Sequence, residues 1–267
     1  MLDEPTIRVI ARRLDAAEQT RVPVRQLSLT HPGMTVEDAY AVQRAWTAMK
    51  LAEGRRLIGR KIGLTSRAMQ QAVNITEPDY GALFDDMAFA DGTDIPAGRF
   101  IAPRVEVELA FVLSRRLQGP GCTLDDVLAA TEHITPALEI LDSRVEMTDA
   151  DTGHTRTIVD TIADNAADAG LVLGGRTVGP DEVDLRWVAA LLERNGTIEE
   201  SGVAAAVLNH PGHGVAWLAD KLAGHGVALE AGQVILSGSF IRAVWARAGD
   251  SFRADYGPLG SITCRFV

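Results

Sequence analysis

Cysteine is scarce in this sequence: Cys122 and Cys264 are the two among 267 residues. They lie far apart and form no C-x-x-C pair, which excludes a disulfide framework and a thiolate metal knot and leaves two reduced thiols. Basic blocks are missing as well. A net charge of -10 without any run of Lys or Arg argues against a nucleic-acid partner and favours solubility. No apolar run approaches the roughly 18 residues that a membrane-spanning helix needs. Met1-Leu-Asp-Glu-Pro5 has no basic stretch followed by an apolar one. Neither a membrane partner nor a secretory leader is therefore expected, and the expected location is cytoplasmic. The six histidines show neither H-x-x-x-H nor H-E-x-x-H spacing, which disfavours zinc. G-x-x-x-x-G-K-[ST] is absent, and so is G-x-S-x-G, which removes the phosphate loop and the α/β-hydrolase serine. Repeats and low-complexity tracts are absent too.

What is present is enough chain for a sizeable core. The first third reads as helix. Ile7, Ile10, Ala11 and Leu14 recur at helical spacing behind Pro5, and a second helix starts after Thr35 with Asp38 three residues on. Its apolar stripe is Ala39, Val42, Trp46 and Met49, and Gly54 ends it. From Leu57 short apolar runs alternate with Gly, Asp and Pro clusters. The runs at Gly81–Phe84, Met87–Phe89, Arg104–Leu113, Gly170–Gly175, Gln233–Leu236 and Ser261–Val267 read as short strands. Helices are expected from Thr123, over Leu185–Arg194, and over Pro211–Ala223 with a stop at Gly224. Regular βαβ alternation is lacking, so a doubly wound sheet is not expected. The fold class read here is α+β: a helical N-terminal region over residues 1–85 and a β-rich domain over 86–267.

Within Arg104-Val-Glu-Val-Glu-Leu-Ala-Phe-Val-Leu113, Glu106 and Glu108 point the same way, because strand side chains alternate with period 2. A third carboxylate, Glu139, follows inside the apolar run Pro136–Leu141. The plainer reading of E-x-E is the solvated face of an amphipathic strand. Against it, the rest of that face is apolar (Ala110, Val112), and Leu138 and Ile140 flank Glu139. Bare carboxylates in such surroundings repel and lose solvation. A hard divalent cation on oxygen ligands, magnesium above all, answers both problems. Lys61 lies between glycines in Leu57–Ser66; it is either a snorkelling surface lysine or a cation facing an anionic substrate. Asp79 reads first as a turn residue, and Gly238-Ser-Phe240 as a tight turn or a ligand-side loop.

At these residues the chain resembles the fumarylacetoacetate hydrolase superfamily. The Glu106-x-Glu108 pair with Glu139 is similar to that superfamily's metal triad. Ile58–Ser66, Glu77–Leu83, Arg104–Phe111, Asp164–Ala166 and Asn209–Leu218 resemble its hydratase/decarboxylase branch, over nearly the whole chain. The resemblance implies a mixed β-roll or β-sandwich catalytic domain behind the helical region, dependence on Mg2+ or Mn2+, and a homo-oligomer. It implies that Glu106, Glu108 and Glu139 are metal ligands, that Lys61 and Asp79 are catalytic, and that Lys61, Leu64, Asp79 and Ser239 line the substrate pocket. The expected activity is a hydratase of a 2-oxo acid, 2-oxohept-4-ene-1,7-dioate, in meta-cleavage of aromatic compounds. Alternatives are hydration of 2-oxopent-4-enoate, decarboxylation of 2-oxohex-3-enedioate, or a metal-stabilised partner subunit without activity. The superfamily's C–C hydrolases carry a histidine shortly after a Gly-Arg-Asn-Tyr stretch. Here the comparable stretch has Lys61 and Ser66, and no histidine lies between His31 and Glu106, which counts against hydrolysis. A far carboxylate of the substrate would want a cation, with Arg156 and Arg242 as candidates.

Overall fold

The computed structural model describes residues 1–72 and 75–267. Seven α-helices are α1 (Glu4–Thr20), α2 (Leu27–Thr30), α3 (Val36–Ala52), α4 (Arg67–Ala72), α5 (Leu124–Ala130), α6 (Ile158–Ala163) and α7 (Pro211–Ala223) among the described residues. The strands are β1 (Leu57–Gly63), β2 (Asp79–Phe84), β3 (Ala88–Ala90), β4 (Asp94–Ile95), β5 (Arg104–Leu113), β6 (Thr131–Leu141) and β7 (Asp168–Leu173). They continue with β8 (Ala189–Arg194), β9 (Thr197–Val203), β10 (Val234–Leu236), β11 (Val244–Trp245), β12 (Ser251–Asp255) and β13 (Ser261–Phe266).

The expected helix starts hold. Asp3 accepts from the Thr6 N–H at 2.9 Å with Pro5 in the first turn of α1, and Thr35 and Asp38 form a reciprocal capping box on α3. Gly54 follows α3 at φ +95°, as a helix stop requires. Ile10, Ala11 and Leu14 of α1 and Val42 and Trp46 of α3 are buried. Trp46 meets Phe84 of β2 edge-on at 5.8 Å between ring centroids, so the helices join the core of the sheet.

Eight strands form one mixed sheet in the order β2-β1-β10-β5-β6-β7-β3, with β11 also paired to β5. Five more form a second sheet, β4-β13-β12-β8-β9, and β13 packs on β6 and β7. The α+β class with a helical N-terminal region therefore stands. The change from helix to sheet falls between Ala52 and Leu57, earlier than residue 85, because β1 and β2 pair with each other and β1 pairs with β10.

One expected helix is absent. Leu185–Trp187 is a single 3-10 turn, and Ala189–Arg194 is a strand paired with β9 and β12. Leu185, Val188 and Leu192 fit a helical spacing, but Ala190 and Leu192 alone of β8 are buried, which is period 2. The chain reverses at Asn195-Gly196, both at positive φ (54° and 78°), which is the turn chemistry of a tight β-hairpin.

Candidate active site

The two long central strands make the site. β5 and β6 run antiparallel with Glu106 directly opposite Glu139 and Glu108 opposite Ala137. Val105, Val107 and Leu109 fill the other face of β5 and are fully buried, so the pleat commits Glu106 and Glu108 to one side. The Tyr256 hydroxyl, reaching from the second sheet, sits between the Glu108 and Ala137 carbonyls at 3.1 and 2.6 Å and pins that register.

One carboxylate oxygen each from Glu106, Glu108 and Glu139 lies within 4.8 Å of the others. Glu108 and Glu139 are 0% and 1% exposed. Burial and the facing Glu139 hold the carboxyl of Glu108 well above the usual carboxylate range, and Glu106 is pushed up to about 7 by the same two causes against the pull of Lys61. Glu108 Oε2 accepts from the Gly238 N–H at 2.8 Å. That donor needs glycine: Gly238 has φ +117°, and a Cβ there would lie 2.3 Å from Thr65 Oγ1. Glu108 Oε1 and Glu139 Oε1 are buried without a hydrogen-bond partner. Three converging hard oxygen donors, two of them with an orphaned atom, fit a divalent cation of the magnesium type.

Lys61 of β1 stands over the cluster, with Nζ 3.3 Å from Glu139 Oε1, an ion pair lacking hydrogen-bond geometry. Burial opposes its charge, but Glu139, Asp79 and Asp168 outweigh that and hold the ammonium above its ordinary range. Asp79 of β2 is raised by burial, with Lys61 pulling the other way. The two approach each other over Gly63, where a Cβ would lie 2.3 Å from Asp79 Oδ1 and 3.0 Å from Lys61 Nζ. A cavity of about 650 Å³ opens onto Lys61, Leu64, Asp79 and Glu106, with Arg104 and Arg156 along its wall.

Of the residues expected from sequence, Glu106, Glu108 and Glu139 converge, and Lys61, Leu64, Asp79 and Arg156 share the cavity. Ser239 does not line it. Its hydroxyl donates to Ile241 O at 3.0 Å and accepts from the Ile241 N–H, closing its own turn. Arg242 also lies elsewhere, exposed and paired with Glu200. Arg104 and Asp168 have no role assigned from the sequence, and Asn165 enters there only within the Asp164–Ala166 stretch. Arg104 lies two positions before Glu106 on the same face, so the alternation that found the glutamates reaches it as well. Asp168 is fully buried with both oxygens unpartnered, and burial and Glu139 hold its carboxyl well above the usual range. Asn165 opens a left-handed turn, Asn165-Ala166-Ala167, with φ of 53°, 51° and 63°. That conformation costs about 1–2 kcal/mol per non-glycine residue. Two clamps hold it. The Asn165 amide donates to Ala82 O at 2.9 Å and accepts from the Ala82 N–H at 2.7 Å, and Asp164 is bound by the buried Arg144. Ala166 and Ala167 form part of the cavity wall.

The family model described as fumarylacetoacetate (FAA) hydrolase C-terminal matches residues 59–267. The chain is 61% identical over 267 residues, the full length of both, to 2-oxo-hept-4-ene-1,7-dioate hydratase of Escherichia coli. It is 40% identical over 269 residues, again 100% of each, to 2-hydroxyhexa-2,4-dienoate hydratase of Comamonas testosteroni. Among solved structures, 4-oxalocrotonate decarboxylase from Pseudomonas putida G7, complexed with magnesium and adipate, superposes with a TM-score of 0.95 at 35% identity, covering 100% of this chain and 99% of that one. No helix among the described residues is long and apolar enough to cross a membrane.

Proposed function

The chain belongs to the fumarylacetoacetate hydrolase family, and from that premise we propose that it is a hydratase of a 2-oxo-alkenedioate, 2-oxohept-4-ene-1,7-dioate, in meta-cleavage of aromatic compounds. The observation that carries this reading is the convergence of three buried glutamates beside Lys61 and Asp79 at one cavity. The full-length identity to hydratases directs it toward water addition.

Glu106, Glu108 and Glu139 would hold a divalent cation, magnesium or manganese. When bound, the cation supplies Lewis acidity toward the oxygens of a 2-oxo acid. Lys61 adds a fixed positive charge beside that oxo-acid end and stabilises the negative charge that gathers on the C2 oxygen. Asp79, a carboxylate made more basic by burial, takes a proton from C3 and returns one to C5, which moves the C4–C5 double bond into conjugation at C3–C4. Water then adds its oxygen at C4 and a proton at C3. Among the described residues no histidine lines the cavity, so hydrolysis of a carbon–carbon bond has no imidazole base there.

The test is product identity. The magnesium-loaded chain, given enzymatically generated 2-oxohept-4-ene-1,7-dioate in heavy-oxygen water, is expected to yield one product heavier by one water, labelled at C4, with the 2-oxo acid intact. Two shorter acids would mean hydrolysis, and carbon dioxide would mean decarboxylation.

Lys61→Ala is expected to raise KM and lower kcat, for a loss of about 100-fold in kcat/KM, because the ammonium serves both the bound anion and the developing charge. Steady-state kinetics with parent values would reduce Lys61 to a structural cation. The reading also includes a homo-oligomer. Leu191 and Ile198 stand exposed on the five-stranded sheet, with Trp187 exposed in the turn that leads into β8, an apolar surface that self-association would cover. Light scattering is expected to give a multiple of 28.6 kDa, and a monomer at working concentration would refute it.

A further inference from the structure

Two arginines, Arg104 and Arg156, line the cavity beside Glu106. Arg104 Nε and Nη2 are buried without a hydrogen-bond partner. Its guanidinium lies over the Trp245 ring, 5.3 Å from the centroid, which orients the planar fork. The carboxylates whose charge acts on it are Glu106, Asp142 and Glu139. Two of these face the cation cluster, and Asp142 is taken up by the Ile101 and Ala102 N–H groups. Arg156 donates through Nη1 to Ser143 Oγ at 2.7 Å. Arg104 and Arg156 share the cavity wall, and burial and then the like charge of Arg104 push Arg156 below arginine's ordinary range against the pull of Asp164, Asp160 and Asp79. Both arginines are half-buried at the one cavity, and an anion between two like charges there relieves their repulsion.

The spacing fits the far end of a diacid. Arg104 is one step of the β5 face from Glu106, two residues or roughly 7 Å along the strand. From C2 to C7 of an extended heptenedioate are five carbon–carbon bonds of about 1.5 Å, which in a zigzag chain span roughly 6 Å end to end. With the oxo-acid end at the glutamates, the far carboxylate reaches the arginines.

Resting on the hydratase reading for that orientation, we propose that Arg104 and Arg156 together receive the substrate's distal carboxylate and make this site selective for dicarboxylates over monocarboxylates of the same length. A planar guanidinium matches a carboxylate in two parallel hydrogen bonds, and the unpartnered Arg104 nitrogens are the donors for it.

The test is binding, measured by calorimetry on the magnesium-loaded protein with two saturated ligands that cannot be hydrated: 2-oxoheptanedioate and 2-oxoheptanoate. They differ in the C7 carboxylate alone. The parent is expected to prefer the diacid by about 10- to 100-fold, the effect of a charge-assisted hydrogen bond in a buried site. Arg104→Met and Arg156→Met are each expected to bring that ratio to within about 3-fold of one. Arg104→Lys, which keeps the charge and loses the fork, is expected to fall between. A parent without preference would overturn the proposal. So would variants that weaken both ligands by the same factor, which is what a purely structural role predicts. Should Arg104→Met fail to fold, the Arg104→Lys ratio decides. A preserved diacid preference in a chain that hydrates nothing would sink the hydratase reading and leave the dicarboxylate receptor standing.

Discussion

Glu108→Gln is expected to lower kcat/KM by about 1,000-fold or more while making the cation-free protein more stable. The loss follows from removing one of three oxygen donors at a site whose charge does the chemistry. The gain follows from what the glutamates cost one another. Glu108 is fully buried, its carboxyl is raised by burial and by Glu139, and one of its oxygens has no partner. The amide keeps an acceptor for the Gly238 N–H and removes a group that must take up a proton to stay buried without the cation. The same reasoning gives a pH dependence. Glu106 rises from about 4.5 unfolded to about 7 folded, so its contribution is fully present below about pH 4.5 and is lost as pH climbs through about 7. That loss is on the order of 3 kcal/mol. In chelator, the parent's melting temperature is expected to fall between pH 5 and pH 8, and magnesium to restore more of it at the higher pH. The variant's fall should be shallower. Thermal melts across that range with and without magnesium, beside kinetics, check both halves. A variant that stays active, or is less stable than the stripped parent, contradicts the account.

Asp79→Asn is expected to lower kcat by about 100- to 10,000-fold with KM close to the parent's, because it removes a proton carrier and keeps the shape. Asp79 is buried beside Lys61, and burial raises its pKa against that neighbour's pull. As the base that takes a proton from C3, it must be ionised, so kcat/KM should climb with pH until that raised pKa is passed. The asparagine variant should lose that limb. It should also lose the exchange of solvent deuterium into the substrate's C3 and C5 positions, which a mass spectrum reads directly. Unchanged exchange in the variant would move the proton shuttle to another group.

The glutamates were legible because two local rules agreed at them. Period-2 alternation placed Glu106 and Glu108 on one side, and apolar flanks on both runs showed that the side was not solvated. The pairing of Glu106 with Glu139 is a long-range register, which alternation alone does not specify. Arg104 obeys the same alternation and is the residue that rule should also have reported. Ser239 and Arg242 were misplaced because a turn residue's direction depends on what its own turn needs. Ser239 closes a loop onto Ile241, and Arg242 turns out to Glu200. The β8–β9 hairpin was missed because Ala189-Ala190-Leu191-Leu192 has good helix formers, whereas pairing with β12 prevails over propensity. The informative signal there was the Asn195-Gly196 turn. β1 and β2 carry strand-like texture from Leu57 yet fall within the helical region drawn to residue 85, because pairing between β1 and β10, far apart in sequence, leaves no local mark.

The left-handed turn at Asn165–Ala167 sets how freely this part of the chain can change over generations. Three non-glycine residues sit where the backbone resists, held by one amide on Ala82 and one arginine on Asp164. Most of the core is apolar packing, which absorbs a swap of one side chain for another of similar volume. The turn has no such slack. A replacement at Asn165 or Asp164 that leaves the two sheets intact still lets the backbone relax, and the cavity wall relaxes with it. Drift at Asn165 therefore removes activity before it removes the fold, and variants found there in a library should be folded and inactive, whereas a change at Asp164 also strands the buried charge of Arg144 and costs stability.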